Sequence, residues 1–438
     1  MKIAVYGTGT IGLVSSTCYA ELGHDVTLID RDTSVIERLK RGDVLIYEPG
    51  FDEKFHRNVR DGKLHFGNEI KPLLDLVDLV VCAVPTPVSS DGTVELKGVA
   101  SLAREIGQTV TKYFAVLIMS TVPVGTTRQL KAALNIELEK RGANIHYDLI
   151  SFPSFLREGT AVSDFMHPDR LVAGISSEKG EELVRTLYSP LLSEGVNLLI
   201  TDQTTAEMIK YASNAMLSTR ISFMNDIANL SELLGADIDM VRIGMGSDHR
   251  IGNDFLSSGC GYGGSSLPSD LKSLIKSSEK AGYGLKVLKA VDEVNELQRK
   301  IVYKKLLKSY NGNIKGKRIA IWGLSFKPET SDVRESTSLV TIDLLLNAGC
   351  DVSVYDPVAI PEARKLLSDK VHYANDMYDA VLDADALLLL TEWKQFRTPS
   401  WGVVARSMKS KVVIDGRNIY TPSEMKKFGF DYHRIGNV

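Results

Sequence analysis

Hydrophobic and polar positions along the first half of the chain follow two alternating periods. Short apolar runs rich in β-branched residues are typical of strands buried in a parallel sheet, and they alternate here with stretches of helical spacing. The runs lie at 2–6, 25–30, 79–84 and 115–119, and a helical pattern covers 10–22. This alternation predicts an α/β fold with a doubly wound parallel sheet, whose ligands bind at the carboxyl ends of the strands.

The same alternation starts again in the last third of the chain. Apolar runs lie at 318–323, 351–356, 386–390 and 411–415, and a helical pattern covers 336–348. A second Rossmann-like sheet is therefore predicted.

A long helical pattern separates the two predicted sheets. It runs from about Thr204 to Leu234 without proline, and its first glycine is Gly235. Because a mean helix has only about 11–12 residues, this stretch predicts a helix that joins two domains. The predicted organisation is a first Rossmann-like domain over 1–200, a central helical region with dimerisation and active-site elements over 201–300, and a second Rossmann-like domain over 301–438.

Composition and charge favour a globular protein with a small-molecule ligand. The chain has 438 residues, 44% of them hydrophobic and 24% charged, so more than one core is expected. A net charge of -3 without a dense Lys/Arg block argues against a nucleic-acid or membrane partner. The N-terminus enters a strand pattern without a signal-peptide profile, and no apolar run approaches the roughly 20 residues that a membrane span needs. We expect a cytoplasmic protein.

The four cysteines predict neither a zinc site nor a disulfide framework. Cys18, Cys82, Cys260 and Cys350 are scattered, without CxxC pairs or nearby histidine clusters. Three of them lie in apolar strand or helix patterns, which is typical of buried small hydrophobic side chains. No metal is expected.

A glycine-rich turn joins the first predicted strand to the first predicted helix. Gly7, Gly9 and Gly12 have the GxGxxG spacing, and Asp30 ends the next strand, which completes a dinucleotide-binding fingerprint. The glycines allow a tight turn, and the helix N-terminus offers free N–H groups to a pyrophosphate. Asp30 would accept hydrogen bonds from ribose hydroxyls and repel a 2′-phosphate, which favours NAD over NADP. Arg31 follows directly and is a cation able to neutralise this repulsion.

Several long motifs are spread from Lys2 to about Tyr420. They read VPTP at 84–87, STVPVGTT at 120–127, FLREG at 155–159, AEMIK at 206–210, RISFMND at 220–226, DHRIG at 248–252, GCGYGGSSLPSD at 259–270, FKPETSDVRES at 326–336, TEW at 391–393 and DGRN at 415–418. These motifs resemble the UDP-glucose and GDP-mannose dehydrogenase family, and most closely its UDP-glucose 6-dehydrogenase branch.

The resemblance implies a cofactor site that extends beyond the glycine turn. Thr86, Thr121 and Glu158 would line the NAD site, and Arg334 would reach the cofactor from the C-terminal domain. Asp332 lies two residues before Arg334, so a purely structural ion pair is the alternative reading of that arginine.

The resemblance also implies a nucleotide-sugar site whose UDP end is held by the second sheet. Its residues would be Phe155, Leu156, Arg157, Lys210, Asn214, Arg250, Phe255, Gly263 and Lys327. In the family the arginine at the position of Arg250 is supplied across a dimer formed around the long helix, so a homodimer is implied. The residue types agree, because a diphosphate needs cations such as Arg250 and Lys327. Lys210 and Asn214 share one helix face, where a solvated lysine is the alternative.

Ser266 stands where the family places a catalytic cysteine. In the family that cysteine attacks the aldehyde formed by the first hydride transfer, and the resulting thiohemiacetal is oxidised to a thioester that water hydrolyses to the acid. Serine is a weak nucleophile unless a base activates it. Ser269 replaces the family's lysine, and Ser154 replaces the glutamate of its Pro-Glu-Phe-Leu segment.

The groups that the first hydride transfer needs remain, namely Thr121, Lys210, Asn214 and Asp270. We therefore expect binding and the first oxidation to survive and the covalent second step to be impaired. Four outcomes are open: release or retention of a 6-aldehyde, formation of the acid through the aldehyde hydrate with Asp270 or Lys210 assisting water, a Ser266–Lys210 pair, or an introduced substitution at Ser266. The last would not account for the other two serines.

The sequence thus predicts an NAD-dependent dehydrogenase acting on the C6 hydroxyl of a nucleotide sugar, with the two nucleotide pockets facing each other across the helical bridge. Asp270, acting through water with Lys210, would stabilise the reacting oxygen. The motif at 248–252 favours UDP-glucose. The rival prediction is a non-catalytic subunit that binds or assembles around nucleotide sugars. Cys260, six residues before Ser266, is a further candidate nucleophile, although glycines fix the register of its loop.

Overall fold

The structure, a computed structural model, describes residues 1–437. It separates into two compact units, one covering Met1–Ser213 and the other beginning at Asn214. Each unit contains one Rossmann-like sheet covered by helices, and a long helix runs across the boundary. The predicted fold class is therefore confirmed.

The first unit begins with the glycine turn and contains an eight-stranded sheet within its described residues. Its strands are β1 (Lys2–Tyr6), β2 (Asp25–Ile29), β3 (Leu64–Gly67), β4 (Leu79–Cys82), β5 (Phe114–Ile118), β6 (Tyr147–Ser151), β7 (Leu171–Gly174) and β8 (Leu198–Thr201). Its helices are α1 (Thr10–Glu21), α2 (Thr33–Lys40), α3 (Phe51–Arg60), α4 (Lys97–Thr109), α5 (Thr126–Lys140), α6 (Ala161–Met166), α7 (Glu178–Leu187) and α8 (Ser189–Ser193).

The strand order of this sheet is β3-β2-β1-β4-β5-β6-β7-β8, which contains the Rossmann order of six strands. All pairings are parallel except that β6 and β7 meet through one antiparallel pair, Ser151 with Gly174. Because the chain changes direction across the sheet between β1 and β4, a crevice is expected at their carboxyl ends. Gly7 follows β1 at this edge.

Burial explains why a strand such as β1 was predicted. In β1, Ile3 and Val5 pack into the core on one side of the sheet and Ala4 into the core on the other, so an uninterrupted apolar run follows Lys2. The edge strands β3 and β8 are partly exposed and carry mixed patterns, and neither was predicted from the sequence. Strands β6 and β7 were also missed.

The long helix, α9 (Gln203–Leu234), has 32 residues and is therefore about 48 Å long. It begins one residue before the predicted start and ends at the predicted residue. Gly235 follows with a φ of 76°, a left-handed conformation that glycine adopts readily at a helix C-terminus.

The second unit repeats the Rossmann order with six parallel strands, β11-β10-β9-β12-β13-β14. Its strands are β9 (Arg318–Trp322), β10 (Asp351–Tyr355), β11 (His372–Tyr373), β12 (Ala386–Leu389), β13 (Val412–Asp415) and β14 (Asp431–Arg434). Its helices after α9 are α10 (Ile238–Gly246), α11 (Leu267–Lys280), α12 (Lys286–Gln298), α13 (Ile301–Ser309), α14 (Thr337–Asn347), α15 (Ile360–Leu367), α16 (Met377–Ala380), α17 (Trp401–Ser407) and α18 (Pro422–Lys427).

The cysteines behave as small core residues. Cys18, Cys82, Cys260 and Cys350 are all buried free thiols. This agrees with the prediction made from the apolar patterns around them. Among the helices of residues 1–437, none is long and apolar enough to cross a membrane.

A buried carboxylate fastens the start of α9 to the loop before α5. Glu207 accepts hydrogen bonds from the backbone N–H groups of Gly125 and Thr127 and from the Thr127 hydroxyl, the last two at 2.8 and 2.7 Å. These N–H groups belong to the first turn of α5, where no intrahelical partner exists. The glutamate therefore caps α5 from another helix.

We predict that Glu207→Ala destabilises the first unit by about 2–4 kcal/mol, because it leaves two buried N–H groups without a partner. Urea unfolding followed by circular dichroism measures the change. Glu207→Gln retains one carbonyl oxygen and should lose less. Equal stability of the alanine variant and the wild type would contradict this role.

Candidate functional site

The glycine turn of the first unit leaves room for a ligand at the start of α1. Gly7 has a φ of 114°, and a Cβ there would lie 2.5 Å from the carbonyl oxygen of Ala83. A Cβ on Gly12 would lie 1.8 Å from the Gly7 carbonyl oxygen, so both positions require glycine. Gly9, the N-cap of α1, faces more open space, with Pro85 as its nearest neighbour at 3.9 Å. A pyrophosphate fits against this helix N-terminus.

Asp30 directly follows β2, and its carboxylate is held in place by the glycine turn. Its Oδ2 accepts hydrogen bonds from the Thr8 N–H at 3.0 Å and the Thr8 hydroxyl at 2.6 Å. Its Oδ1 accepts from the N–H of Asp32 at 3.0 Å. Arg31 is directed to α4, where it forms an ion pair with Glu105 at 2.7 Å.

The loops after β4 and β5 lie against each other. The Thr86 hydroxyl donates to the carbonyl oxygen of Thr121 at 2.8 Å, so these two predicted cofactor residues are brought together. Pro85, next to Thr86, is also the nearest neighbour of Gly9. The glycine turn and both threonine loops therefore share one end of the sheet.

The predicted segment 155–159 is held by a second buried glutamate. Glu48 accepts hydrogen bonds from the N–H groups of Gly159 at 2.7 Å and Ala161 at 2.8 Å. Arg157 forms an ion pair with Asp164 at 2.6 Å. Glu158, between Arg157 and Gly159, is half-buried.

Phe155 connects this segment to Lys210. The Lys210 Nζ atom lies 5.4 Å from the centroid of the Phe155 ring, and the Arg170 guanidinium carbon lies 4.2 Å from it. Ser154 and Leu156 line a cavity of about 40 Å³ beside this ring, which is room for a water molecule.

In the second unit, the glycine loop 259–264 packs on the segment 326–336 through its backbone. A Cβ on Gly263 would lie 2.1 Å from the carbonyl oxygen of Glu335, and the N–H of Gly264 donates to the Arg334 carbonyl oxygen at 2.9 Å. Glu335 has a φ of 51°, and such non-glycine residues with positive φ cluster at functional sites. Lys327 is half-buried, with its Nζ 5.8 Å from the Phe326 ring centroid.

Asn214 and Asp270 form a buried hydrogen bond. The Asn214 Nδ2 donates to the Asp270 Oδ2 at 2.6 Å. This bond joins α9 to the first turn of α11. Lys210 precedes Asn214 by one helical turn on α9 and is also buried, so the alternative of a solvated lysine does not apply.

Ser266 lies immediately before α11 and is exposed. Its hydroxyl makes no hydrogen bond with any of the residues 1–437 and does not cap the helix. Cys260 is fully buried, its N–H donates to the Gly416 carbonyl oxygen, and burial raises the pKa of its thiol. Burial thus removes Cys260 as an accessible nucleophile.

A cavity of about 200 Å³ lies beside the glycine loop in the second unit. Phe255 lines it in a left-handed conformation, with a φ of 59°. Asn225 also lines it, and its Nδ2 has no hydrogen-bond partner in the described chain. Glu392 and Arg417 complete the wall as an ion pair at 3.3 Å, and sequence reasoning assigned neither a role. The sequence feature that could have identified Arg417 is its position just beyond β13, because ligands of such sheets bind at the carboxyl ends of the strands.

Two predicted arginines are engaged by near neighbours. Arg250 is exposed and pairs with Asp248 at 2.6 Å, and within residues 1–437 it makes no hydrogen bond or ion pair with the glycine loop. Arg334 pairs with Asp332 at 2.6 Å, which is the structural ion pair left open by the sequence.

The second Rossmann-like sheet differs from the first at the residue that corresponds to Asp30. Asp356 follows β10, but its carboxylate is buried and accepts hydrogen bonds from the N–H groups of Leu324, Ser325, Val358 and Ala359. The indole N–H of Trp393 is a further donor. A ribose therefore has no free carboxylate to bind here, and the dinucleotide site belongs to the first sheet. No cluster of three or more metal-ligating side chains was found across the described residues.

Comparison with known proteins places the whole chain in one family. Residues 1–192 match the NAD binding domain, 204–297 the central domain and 320–422 the UDP binding domain of the UDP-glucose/GDP-mannose dehydrogenase family. A UDP-glucose 6-dehydrogenase from Pseudomonas aeruginosa is 40% identical over 443 residues, covering 100% of this chain and 97% of that protein. The UDP-glucose 6-dehydrogenase TuaD from Bacillus subtilis is 42% identical over 435 residues, covering 99% of this chain and 93% of that protein.

A solved structure agrees. The UDP-glucose dehydrogenase from Pyrobaculum islandicum superposes with a TM-score of 0.91 at 33% identity, covering 100% of this chain and 98% of that one. The glycine turn and Asp30 lie inside the matched NAD binding domain, and Arg417 lies inside the matched UDP binding domain. This chain belongs to the UDP-glucose/GDP-mannose dehydrogenase family of NAD-dependent oxidoreductases.

Proposed function

We propose that this chain oxidises the C6 hydroxyl of UDP-glucose with NAD, and that the exchange of the family's cysteine for Ser266 impairs the second oxidation, so that the 6-aldehyde accumulates. The observation that carries the proposal is the buried hydrogen bond between Asn214 and Asp270, one helical turn from Lys210. Asn214 and Asp270 supply a hydrogen-bonded amide and carboxylate, and Lys210 supplies an ammonium group on the same helix as Asn214, and these group types match the needs of an alcohol oxidation.

The residues of the first unit fit the cofactor. Gly9 and the α1 N-terminus would hold the pyrophosphate, and Asp30 would hold the ribose. Thr86 and Thr121, on the loops beside them, would line the NAD site. When bound, NAD supplies the acceptor for the hydride that leaves C6.

The second unit fits the UDP portion of the substrate. Arg417 and Asn225 line the 200 Å³ cavity, where the Asn225 Nδ2 has no hydrogen-bond partner within residues 1–437 and Phe255 offers an aromatic face to a base. Lys327 would add a cation for the diphosphate. The curated relatives are named for UDP-glucose, which supports that sugar as the first choice.

The first oxidation removes a proton from the C6 oxygen and a hydride from C6. Lys210 and Asn214 would donate hydrogen bonds to the oxygen, whose negative charge grows as the proton leaves. Asp270, whose Oδ2 accepts a hydrogen bond from Asn214, would accept that proton through a bridging water. Because these three groups are retained, we favour a catalytic protein over a subunit that only binds nucleotide sugars.

The second oxidation needs a covalent adduct or a hydrated aldehyde. Ser266 makes no hydrogen bond within the described chain, so no base polarises its hydroxyl. A thiol at this place would lie at the N-terminus of a 14-residue helix, where the helix dipole lowers a thiol pKa. Cysteine chemistry therefore suits the position, and serine chemistry does not.

Wild-type protein with UDP-glucose and NAD should form one NADH per sugar and an aldehyde that a hydroxylamine reagent traps. Ser266→Cys should raise the acid-to-aldehyde ratio by about tenfold or more, because it restores the nucleophile. Mass spectrometry of the products measures the ratio. Ser269→Cys, three residues away on the same helix, should leave the ratio at the wild-type value. An unchanged ratio for Ser266→Cys, or two NADH per sugar from the wild type, would contradict the assignment.

Asp270→Asn should lower kcat by about 10²–10⁴, because it keeps an oxygen for Asn214 but cannot take the proton. KM for UDP-glucose should change little. Glu279→Gln, on the same helix and paired with Lys289 at 2.6 Å, is the matched control and should keep wild-type kinetics. Steady-state NADH formation measures both variants, and a wild-type kcat for Asp270→Asn would rule out its role as proton acceptor.

We also propose that two copies pair through α9. Met216, Phe223 and Leu230 are spaced by seven residues, which puts them on one helix face, and they are 57%, 49% and 49% exposed. An apolar stripe of this kind on a helix is typical of an interface with a second helix. The exposed Arg250 then becomes available to the partner copy, as the family resemblance implies.

Phe223→Glu should convert a dimer to a monomer, because it introduces a charge into an apolar interface. Light scattering after gel filtration measures the mass. Leu297→Glu changes an equally exposed leucine on α12 and should leave the dimer intact. A monomeric wild type, or a dimeric Phe223→Glu variant, would overturn the pairing.

A further inference from the structure

Two neighbouring residues after β2 make opposite demands on the cofactor. The carboxylate of Asp30 binds a ribose hydroxyl and repels a 2′-phosphate, whereas an arginine at this place accommodates a 2′-phosphate. Arg31 directly follows Asp30. The choice between NAD and NADP therefore depends on where the Arg31 guanidinium is held.

The structure holds the Arg31 guanidinium against α4. Its Nη2 donates to Glu105 at 2.7 Å and to the Ser101 hydroxyl at 3.1 Å. The guanidinium carbon lies 6.0 Å from the centroid of the Tyr6 ring. The Glu105 side chain is only 16% exposed, so solvent screens this ion pair less than a pair between two fully exposed groups.

Asp30 is oriented by a separate set of contacts. Among residues 1–437, its carboxylate accepts hydrogen bonds from Thr8 and Asp32. Within residues 1–437, no hydrogen bond or ion pair joins Asp30 to Arg31. The arginine thus leaves the negative charge of Asp30 uncompensated, and that charge can act against a 2′-phosphate.

We propose that Glu105 is a specificity-determining residue, which favours NAD over NADP by holding Arg31 on α4 and away from the 2′ position of the adenosine ribose. The proposal deepens the cofactor binding of the first unit and is independent of which sugar is oxidised. Without the Glu105 carboxylate, Arg31 loses its ion pair and keeps the neutral Ser101 and Tyr6 hydroxyls as its neighbours on this side. Its guanidinium is then able to form the charge-assisted hydrogen bonds that a 2′-phosphate offers.

Calorimetric titration of the full-length protein with NADH and with NADPH tests the proposal without any turnover. Glu105→Ala should lower the Kd for NADPH by about two- to fivefold, which is the scale of one partly screened ion pair, and leave the Kd for NADH unchanged. Glu105→Gln keeps a neutral acceptor for Arg31 and should give a smaller gain. This second variant also preserves the test if the alanine variant does not fold.

Two controls separate the positioning of Arg31 by Glu105 from a general effect of removing a negative charge. The double variant Glu105→Ala with Arg31→Ala should lose the gain in NADPH affinity, because the gain depends on the arginine. Glu181→Ala removes the carboxylate of a comparable ion pair with Arg185 on α7, at 2.7 Å, and should leave both affinities unchanged.

An unchanged Kd for NADPH in both Glu105 variants would overturn the proposal, and so would a gain that persists in the double variant. If wild-type protein bound no NADH, the cofactor assignment itself would fail together with this inference. That failure is distinguishable, because it appears in the wild-type titration before any variant is compared.

Discussion

The hydrogen bond between Asn214 and Asp270 is the interaction on which the site depends. A carboxylate with so little exposure is stable only with hydrogen-bonding partners, and the Asn214 amide supplies one at 2.6 Å. Asp270 lies in the first turn of α11, so the bond ties the start of that helix to α9. Ser266, the position to which we assign the impaired second oxidation, immediately precedes this turn.

The two Rossmann-like sheets share a strand order but differ at the acid that follows their second strand. Asp30 is held by Thr8 and Asp32 at the edge of the glycine turn, where a ribose can reach it. Asp356 is buried among backbone N–H groups and serves the fold of its own unit. One sheet therefore fits a dinucleotide, and the other presents Arg417 beside a cavity of about 200 Å³.

Sequence reasoning predicted strands that form uninterrupted apolar runs, such as β12, whereas the partly exposed edge strands β3 and β8 escaped prediction. Strands β6 and β7 are largely buried but also escaped, because polar residues interrupt the apolar run of β6 and β7 has only four residues. Motifs gave candidate residues, but they could not show that Arg31 is paired with Glu105, because 74 residues separate the two. The same limit applied to Arg417, whose cavity is built from three distant segments.

Deuterium at C6 of the substrate tests the central claim most directly. With UDP-[6,6-²H₂]glucose and NAD, our account predicts that one deuterium appears in NADH and that the other remains at C6 of the accumulated aldehyde. NADH without deuterium would show that the hydride does not come from C6. Loss of both deuterium atoms from C6 would show that the chain completes the second oxidation in spite of Ser266.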